Sequence, residues 1–373
     1  MSEENKQETA QVNMANLRGG IEYASQWQLM WARFRKHRVA YASMVLVALL
    51  YVVAIFAEFL SPFSPEDPSS RTVYQPPQVL HFDGFKPYVN KFTLTRDPVT
   101  LAPTYVKTDE KTYLEFFAKG YEYKMLGIWE TNLHLFGPKE QGEKMFLFGS
   151  DKLGRDMLSR VIFGARFTLS MGLIGVILST VLGIALGGVS GYYGGKIDWA
   201  IQRLVEFILS LPTIPIWLAL ASALPRNWPP HLVYISVTVI ISLIGWTHLA
   251  RVIRGKFLAM RGEVFVIAAK LDGCSEARVI FRHMLPSMAS HVIAAVTLAI
   301  PSMILAETTL SFLGLGLQPP AISWGVLLKD AQKISVISNA PWLFLPGVMV
   351  VISVLAMNFF GDGLRDAADP YSH

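Results

Sequence analysis

The chain has 373 residues, 52% of them hydrophobic and 16% charged, with a formal net charge of +5 and a mean hydropathy of +0.38. That balance excludes a string of soluble domains, and the basic excess sits beside apolar runs, where it is a topology signal rather than a nucleic-acid surface. The single cysteine, Cys274, excludes an intrachain disulfide or a cysteine metal cluster and reads as a small filler in a loop.

Residues 1 to about 20 are polar and lack the apolar core of a cleavable signal, so they read as a disordered cytoplasmic tail. From 23 to 38, Trp27, Met30, Trp31 and Phe34 recur at helical spacing among Arg33, Arg35, Lys36 and Arg38, the pattern of an interfacial amphipathic helix. Residues 39 to 60 are apolar over about the 20 residues that cross a bilayer, with Glu58 near the far end and Ser61-Pro62 as a break.

Residues 61 to 150 differ in kind: polar, proline-rich early and dense in aromatics. Alternation at 91 to 95 and 121 to 125 predicts short strands, and residues 112 to 118 read as a helical turn, giving a small mixed α/β extracytoplasmic insertion between the first two spans. Because a disordered linker would lack so many large rings, the insertion is expected to fold; its rings either cap the pathway and help dock an external partner, or form the domain's own core or rest on the membrane surface. Asp151 and Asp156 are placed to cap or pair with Arg155 and Arg160.

The second span, 168 to 191, carries Gly172, Gly175, Gly183, Gly187 and Gly188, small residues that let helices close on one another in lipid. A tight turn follows at 191 to 198. The third span runs from Arg203 and Glu206 through Pro212 and Pro215, which should kink it, to Leu224. A short external turn precedes the fourth span at 232 to 249.

Arg251, Arg254, Lys256, Arg261, Lys270, Arg278 and Arg282 then crowd one loop, which places it in the cytoplasm. Within RGEVFVIAAKLDGCSEARVIFRHMLP, residues 264 to 270 predict a short helix and Gly273 a sharp reversal. A second helix over 275 to 283 follows, N-capped by Ser275 and stopped at Leu285-Pro286. Two short helices around a glycine make a plug whose small residues admit another protein's groove. The fifth span, 289 to 312, contains Pro301 and one acid, Glu307; an intramembrane carboxylate is a functional candidate, with inter-helix hydrogen bonding as the alternative role. The glycines and prolines of LSFLGLGLQPP suit a re-entrant segment, and residues 342 to 360 form the sixth span.

Ala268-Ala269, Gly273 and Leu285-Pro286 resemble the coupling loop of binding-protein-dependent ABC importer permeases, although Ile267 stands where the family has a glutamate and His283 where it usually has isoleucine. The stretch from Trp31 to Pro68, the FGSDKLGRD block with SR and GAR after it, GYYGGKID, LSFLGLGLQPP with SWG, and GDGLRDA ending in Asp369-Pro370 are similar to the dipeptide/oligopeptide branch, C-type subunit. The resemblance implies an all-α polytopic fold of six transmembrane helices, organised as a tail and amphipathic helix (1–38), a first span (39–60), the insertion (61–150) and a five-span core (151–373) with the coupling loop at 262 to 286. It implies a second, distinct permease subunit, two ATPase subunits, an extracytoplasmic solute-binding protein and a bacterial cytoplasmic membrane with both termini inside.

Ala268, Ala269, Gly273, Ser275, Leu285 and Pro286 are the expected ATPase contacts; Glu307, Phe312, Gly314, Gly316 and Pro212 are the pathway or gate candidates. With no phosphate-cradling glycine loop ending in Lys-Ser/Thr, the chain is expected to hold no cofactor of its own and to leave ATP and Mg to its partners. Peptides are the expected solute, with a nickel chelate or an oligosaccharide as alternatives on the same scaffold. A secondary transporter would need ion or proton sites near mid-membrane, of which these spans hold almost none, and a membrane enzyme would need HExxH or GxSxG, which do not occur.

Overall fold

The computed structural model describes residues 26–96, 103–125, 127–140, 142–225 and 227–368; the expected polar tail and the closing Asp369-Pro370 lie outside them. Helix α1 (Gln26–Lys36) is amphipathic as its spacing predicts, and part of its apolar face packs within the chain. Phe34 is fully buried against Ala40, Leu364 and the edge of the Phe360 ring, which bolts α1 onto the last helix of the chain. His37 then caps α2 (Arg38–Ile55) by accepting from the Ala40 N–H at 3.1 Å. A break at Phe56 separates α2 from the single turn of α3 (Ala57–Leu60).

The insertion is built of β-structure. Strands β1 (Leu80–Asp83), β2 (Lys86–Arg96), β3 (Pro103–Phe116), β4 (Lys119–Met125), β5 (Trp129–Leu133) and β6 (Phe136–Pro138) form an antiparallel sheet in the order β1-β2-β3-β6 and a separate β4-β5 hairpin. The strands expected at 91 to 95 and 121 to 125 lie within β2 and β4. The helical turn expected over 112 to 118 is overturned. Thr112 pairs with Val89 and Tyr113 with Tyr88 on one side, while Leu114 to Phe116 pair with β6 on the other. β-Branched and aromatic residues between two partner strands gain cross-strand packing that one exposed helical turn cannot supply. Among its described residues the insertion therefore has six strands and no helix.

Residues 148 to 156 knot this insertion to the helices. Gln75 N–H donates to Ser150 Oγ at 2.8 Å, Ser69 N–H to the Leu153 carbonyl at 2.9 Å, and the Trp342 indole to the Ser150 carbonyl at 2.9 Å. Asp151 pairs with Arg155 at 2.6 Å and lies 3.5 Å from Arg160, while Asp156 caps the next helix, accepting from both the backbone N–H and the hydroxyl of Ser159. The expected pairing and capping are thus both present.

Helix α4 (Met157–Tyr193) is the central post, 37 residues long. After α5 (Gly195–Ser210) and α6 (Thr213–Ser222), helix α7 (Pro230–Met260) lies along it. The small residues of α4 make this possible: a Cβ on Gly187 would come within 2.5 Å of the Ala250 carbonyl oxygen, and one on Gly191 within 2.7 Å of that of Arg254. Ser242 of α7 also donates to the Gly175 carbonyl at 3.0 Å.

Helices α5 and α6 meet at 89°, so the expected kink is a break. Pro212 has no N–H to continue the ladder, and α5 ends at Ser210. Among the described residues, five helices are long and apolar enough to cross a membrane, and the bent pair makes up to six.

Beyond α7 come α8 (Val264–Leu271), α9 (Glu276–Arg278), a π-helical turn (Val279–Met284) and α10 (Leu285–Ser287). Then follow α11 (Ala289–Phe312), α12 (Trp324–Asp330), α13 (Ile334–Asn339), a 3₁₀ turn (Pro341–Phe344) and α14 (Leu345–Ala368). One core gathers Leu50 of α2, Leu169 of α4, Ile304 of α11, Trp324 of α12 and Met357 of α14, so four of the apolar helices and the short α12 close on one point.

Candidate functional site

Two groups of sequence-selected residues fall at opposite ends of the bundle. At the basic end, α8 ends in a Schellman motif: Cys274 N–H donates to the Ala269 carbonyl and Gly273 N–H to that of Lys270, both at 3.1 Å. Gly273 takes φ +75°, and a Cβ there would meet open space, so the residue serves the reversal rather than a close contact within the chain.

The two alanines part company. Ala269 and Val266 are buried against Ile253, Phe257, Val279 and Met284, while Ala268 is exposed. Exposed with it are Phe265, Ile267, Val264 (81%), Leu271 (82%) and, from the π turn, Phe281 (64%). Arg261, Asp272, Glu276, Arg278 and Arg282 of the same segment are exposed too, and exposed apolar side chains among charges suit an interaction surface. Its mount is firm: Tyr193 at the end of α4 donates to Glu276 at 2.6 Å, Lys270 lies 4.8 Å from the Tyr192 ring centre, and Arg254 of α7 forks onto Asp198 of α5 at 2.5 and 2.6 Å.

Two expectations for this segment need correction. Ser275 stands at the cap position, yet its hydroxyl makes no capping hydrogen bond. Leu285-Pro286 does not stop the helix. Both residues lie in α10, where proline is tolerated because first-turn N–H groups lack helical partners anyway, and the break comes at Met288 with φ −111°. Leu285 is half-buried and Pro286 exposed.

At the insertion end, Glu307 is fully buried and bonded on both oxygens, accepting from Thr168 Oγ1 at 3.2 Å and Ser311 Oγ at 2.8 Å. Those hydroxyls pass the connection on. Trp324 N–H donates to Thr168 Oγ1 at 3.1 Å, and Leu317 N–H donates to Ser311 Oγ at 3.1 Å. One carboxylate thus ties α4, α11, α12 and the 313–323 segment together, the inter-helix role weighed from sequence. Gly316 is part of the fold-back, since a Cβ there would sit 2.6 Å from Ser311 Oγ; Gly314 takes φ +81° beside Lys329.

Phe312 is half-buried, and exposed Pro212 stays at the α5–α6 break, outside this network. Gly314 and Gly316 also line a cleft with Ala221, Leu224, Trp228 and Val233 at the mouth of the bundle. Thr168, Ser311 and Trp324 were not singled out from sequence; single hydroxyls in apolar runs and a tryptophan in a loop carry no periodic signal. Nearby, burial pushes the Asp156 carboxyl up to about 6, against the pull of its two Ser159 bonds.

The family described as binding-protein-dependent transport system inner membrane component matches residues 179–371, and the N-terminal transmembrane domain of oligopeptide transport permease C matches residues 25–77. The chain is 30% identical over 352 residues to the dipeptide transport system permease protein DppC of Lactococcus lactis subsp. cremoris, covering 93% of this chain and 91% of that one. It is 36% identical over 242 residues to the oligopeptide transport system permease protein OppC of Haemophilus influenzae, covering 65% and 75%. An inward-facing structure of the MetNI methionine ABC transporter aligns at 17% identity with a TM-score of 0.46, over 57% of this chain and 98% of that one. With a matched family covering half its length and a relative aligned along nearly all of it, the chain belongs to the inner-membrane permease components of binding-protein-dependent ABC transport systems.

Proposed function

We propose that this chain is one of two distinct permease halves of an ATP-driven importer of peptides, with the α8 end in the cytoplasm and two separate ATPase subunits seated there. The observation that carries the reading is the exposed apolar face of α8 on a plug pinned to α4 and α7. Burying side chains such as Phe265, Leu271 and Phe281 in a partner's groove would contribute about 1.5–3 kcal/mol each as an upper bound. Because Val266 and Ala269 share a core with Ile253 and Phe257, a push on the plug moves α7, and the glycine-lined seam carries the motion to α4. Peptides as solute rest on the names of the relatives. ATP and Mg belong to the ATPase subunits. The β-sheet of the insertion, with Phe82 and Phe85 exposed, is the surface proposed to help dock the solute-binding protein.

The test is co-purification from membranes. Leu271→Asp with Phe281→Asp should leave the chain folded, since both side chains are exposed, and cut recovery of the ATPase subunits at least tenfold. Full recovery with the double variant would remove the plug from the interface.

A further inference from the structure

The β4-β5 hairpin is rooted on the end of the first membrane helix. Leu135 N–H donates to the Phe59 carbonyl at 2.8 Å, and the His134 ring nitrogens lie 3.0 Å from the Glu58 carbonyl and 3.1 Å from that of Tyr121. From that root the strands run to a tip at Gly127, φ +74°, followed by Ile128 (70% exposed) and Trp129 (65% exposed).

The tip turns back toward the membrane. Gly127 lines a largely apolar cleft together with Tyr51 and Ile55 of α2, Glu58 of α3, and Leu169 and Leu173 of α4. Glu58 and Arg166 are ion-paired across the two helices, and Tyr51 and Leu173 each lie seven residues inward from their member of that pair, about 10 Å at helical rise. The neighbouring apolar side chains Val52, Ile55, Leu173 and Ile174 are exposed on helices long enough to span a bilayer, so lipid is the medium around the cleft. One residue beyond the Met125–Trp129 pair, Lys124 and Glu130 pair at 3.1 Å, both exposed, a polar collar above an apolar point. A tryptophan between a charged pair and an apolar tip matches the headgroup boundary.

We infer that the tip of the β4-β5 hairpin enters the outer leaflet, with Ile128 among the acyl chains and Trp129 at headgroup depth, and so holds the insertion down on the membrane. The inference rests on α2 and α4 spanning the bilayer and not on the solute. In a Cys274→Ser background, Ile128→Cys and, separately, Trp129→Cys would carry an environment-sensitive fluorophore in the full transporter complex in phosphatidylcholine/phosphatidylglycerol nanodiscs. Both labels should emit blue of a Phe85→Cys control, lose at least half their signal to lipid bearing a nitroxide at acyl carbon 5, and resist aqueous iodide. Quenching by iodide equal to the Phe85 control would overturn the inference, and so would shielding from both quenchers, which would place protein over the tip. A label at Val52, on the exposed face of α2, reports separately whether that helix lies in lipid; if it does not, the membrane placement fails and the hairpin inference with it.

Discussion

Glu307 sits without solvent contact between two hydroxyls, and its truncation separates structural from transport roles. Glu307→Ala leaves Thr168 and Ser311 short of an acceptor and should cost about 1–3 kcal/mol, seen as a lower unfolding temperature in detergent. Loss of import at unchanged unfolding temperature would instead assign the carboxylate to the pathway. Asp156 provides a pH test. Its folded pKa of about 6 lies above the unfolded value of about 3.9, so the folded state binds the proton more tightly. The contribution is complete below the unfolded value and is lost as pH rises through 6, amounting to about 3 kcal/mol. Asp156→Asn keeps an acceptor for Ser159 and removes the titration. The variant should therefore gain on the natural chain in unfolding temperature between pH 5 and pH 7.5, and parallel curves would show that Asp156 does not titrate there.

At the scale of elements, α8 distinguishes two neighbouring alanines by what each faces. Ala269→Trp must overpack the core of Phe257, Val279 and Met284 and should cost about 1–3 kcal/mol, so poor expression and early unfolding are expected. Normal yield and melting from that variant would mean the plug is not packed as described. The helix itself, its glycine reversal and an irregularity at Pro212 were legible because backbone restrictions of glycine and proline are local, although a kink was expected where α5 ends outright. Which alanine faces in was not: with apolar residues on every side of α8, periodicity has no polar face to orient it, and only contact with α7 decides. Residues 112 to 118 misled for a related reason, since a short mixed run becomes a strand only when β2 and β6 flank it. The spans were read well because length and hydropathy alone define them, whereas the Glu307 network joins residues 139 positions apart through Thr168.

For the whole molecule, the insertion meets the bundle at the 148–156 knot, at Phe63 and Pro65, which bond to Ser159 and Arg160 of α4, at the hairpin root on α3 and at the Gly127 tip. Replacing residues 80–138 with a Gly/Ser linker keeps Ser69, Gln75 and Ser150 in place and should leave a bundle that still assembles with its partners. If that shortened chain imports solute with unchanged dependence on binding-protein concentration, the docking role of the sheet is wrong. In the proposed function, force from separate ATPases enters this chain through the exposed face of α8. Ala268 is exposed there, so Ala268→Trp changes that face without touching the core beneath it. The most direct measurement is ATP-driven peptide uptake by the complete reconstituted transporter carrying Ala268→Trp, read beside its unfolding temperature. Uptake should fall at least tenfold with the unfolding temperature unchanged; uptake at the natural rate would show that α8 does not carry the force.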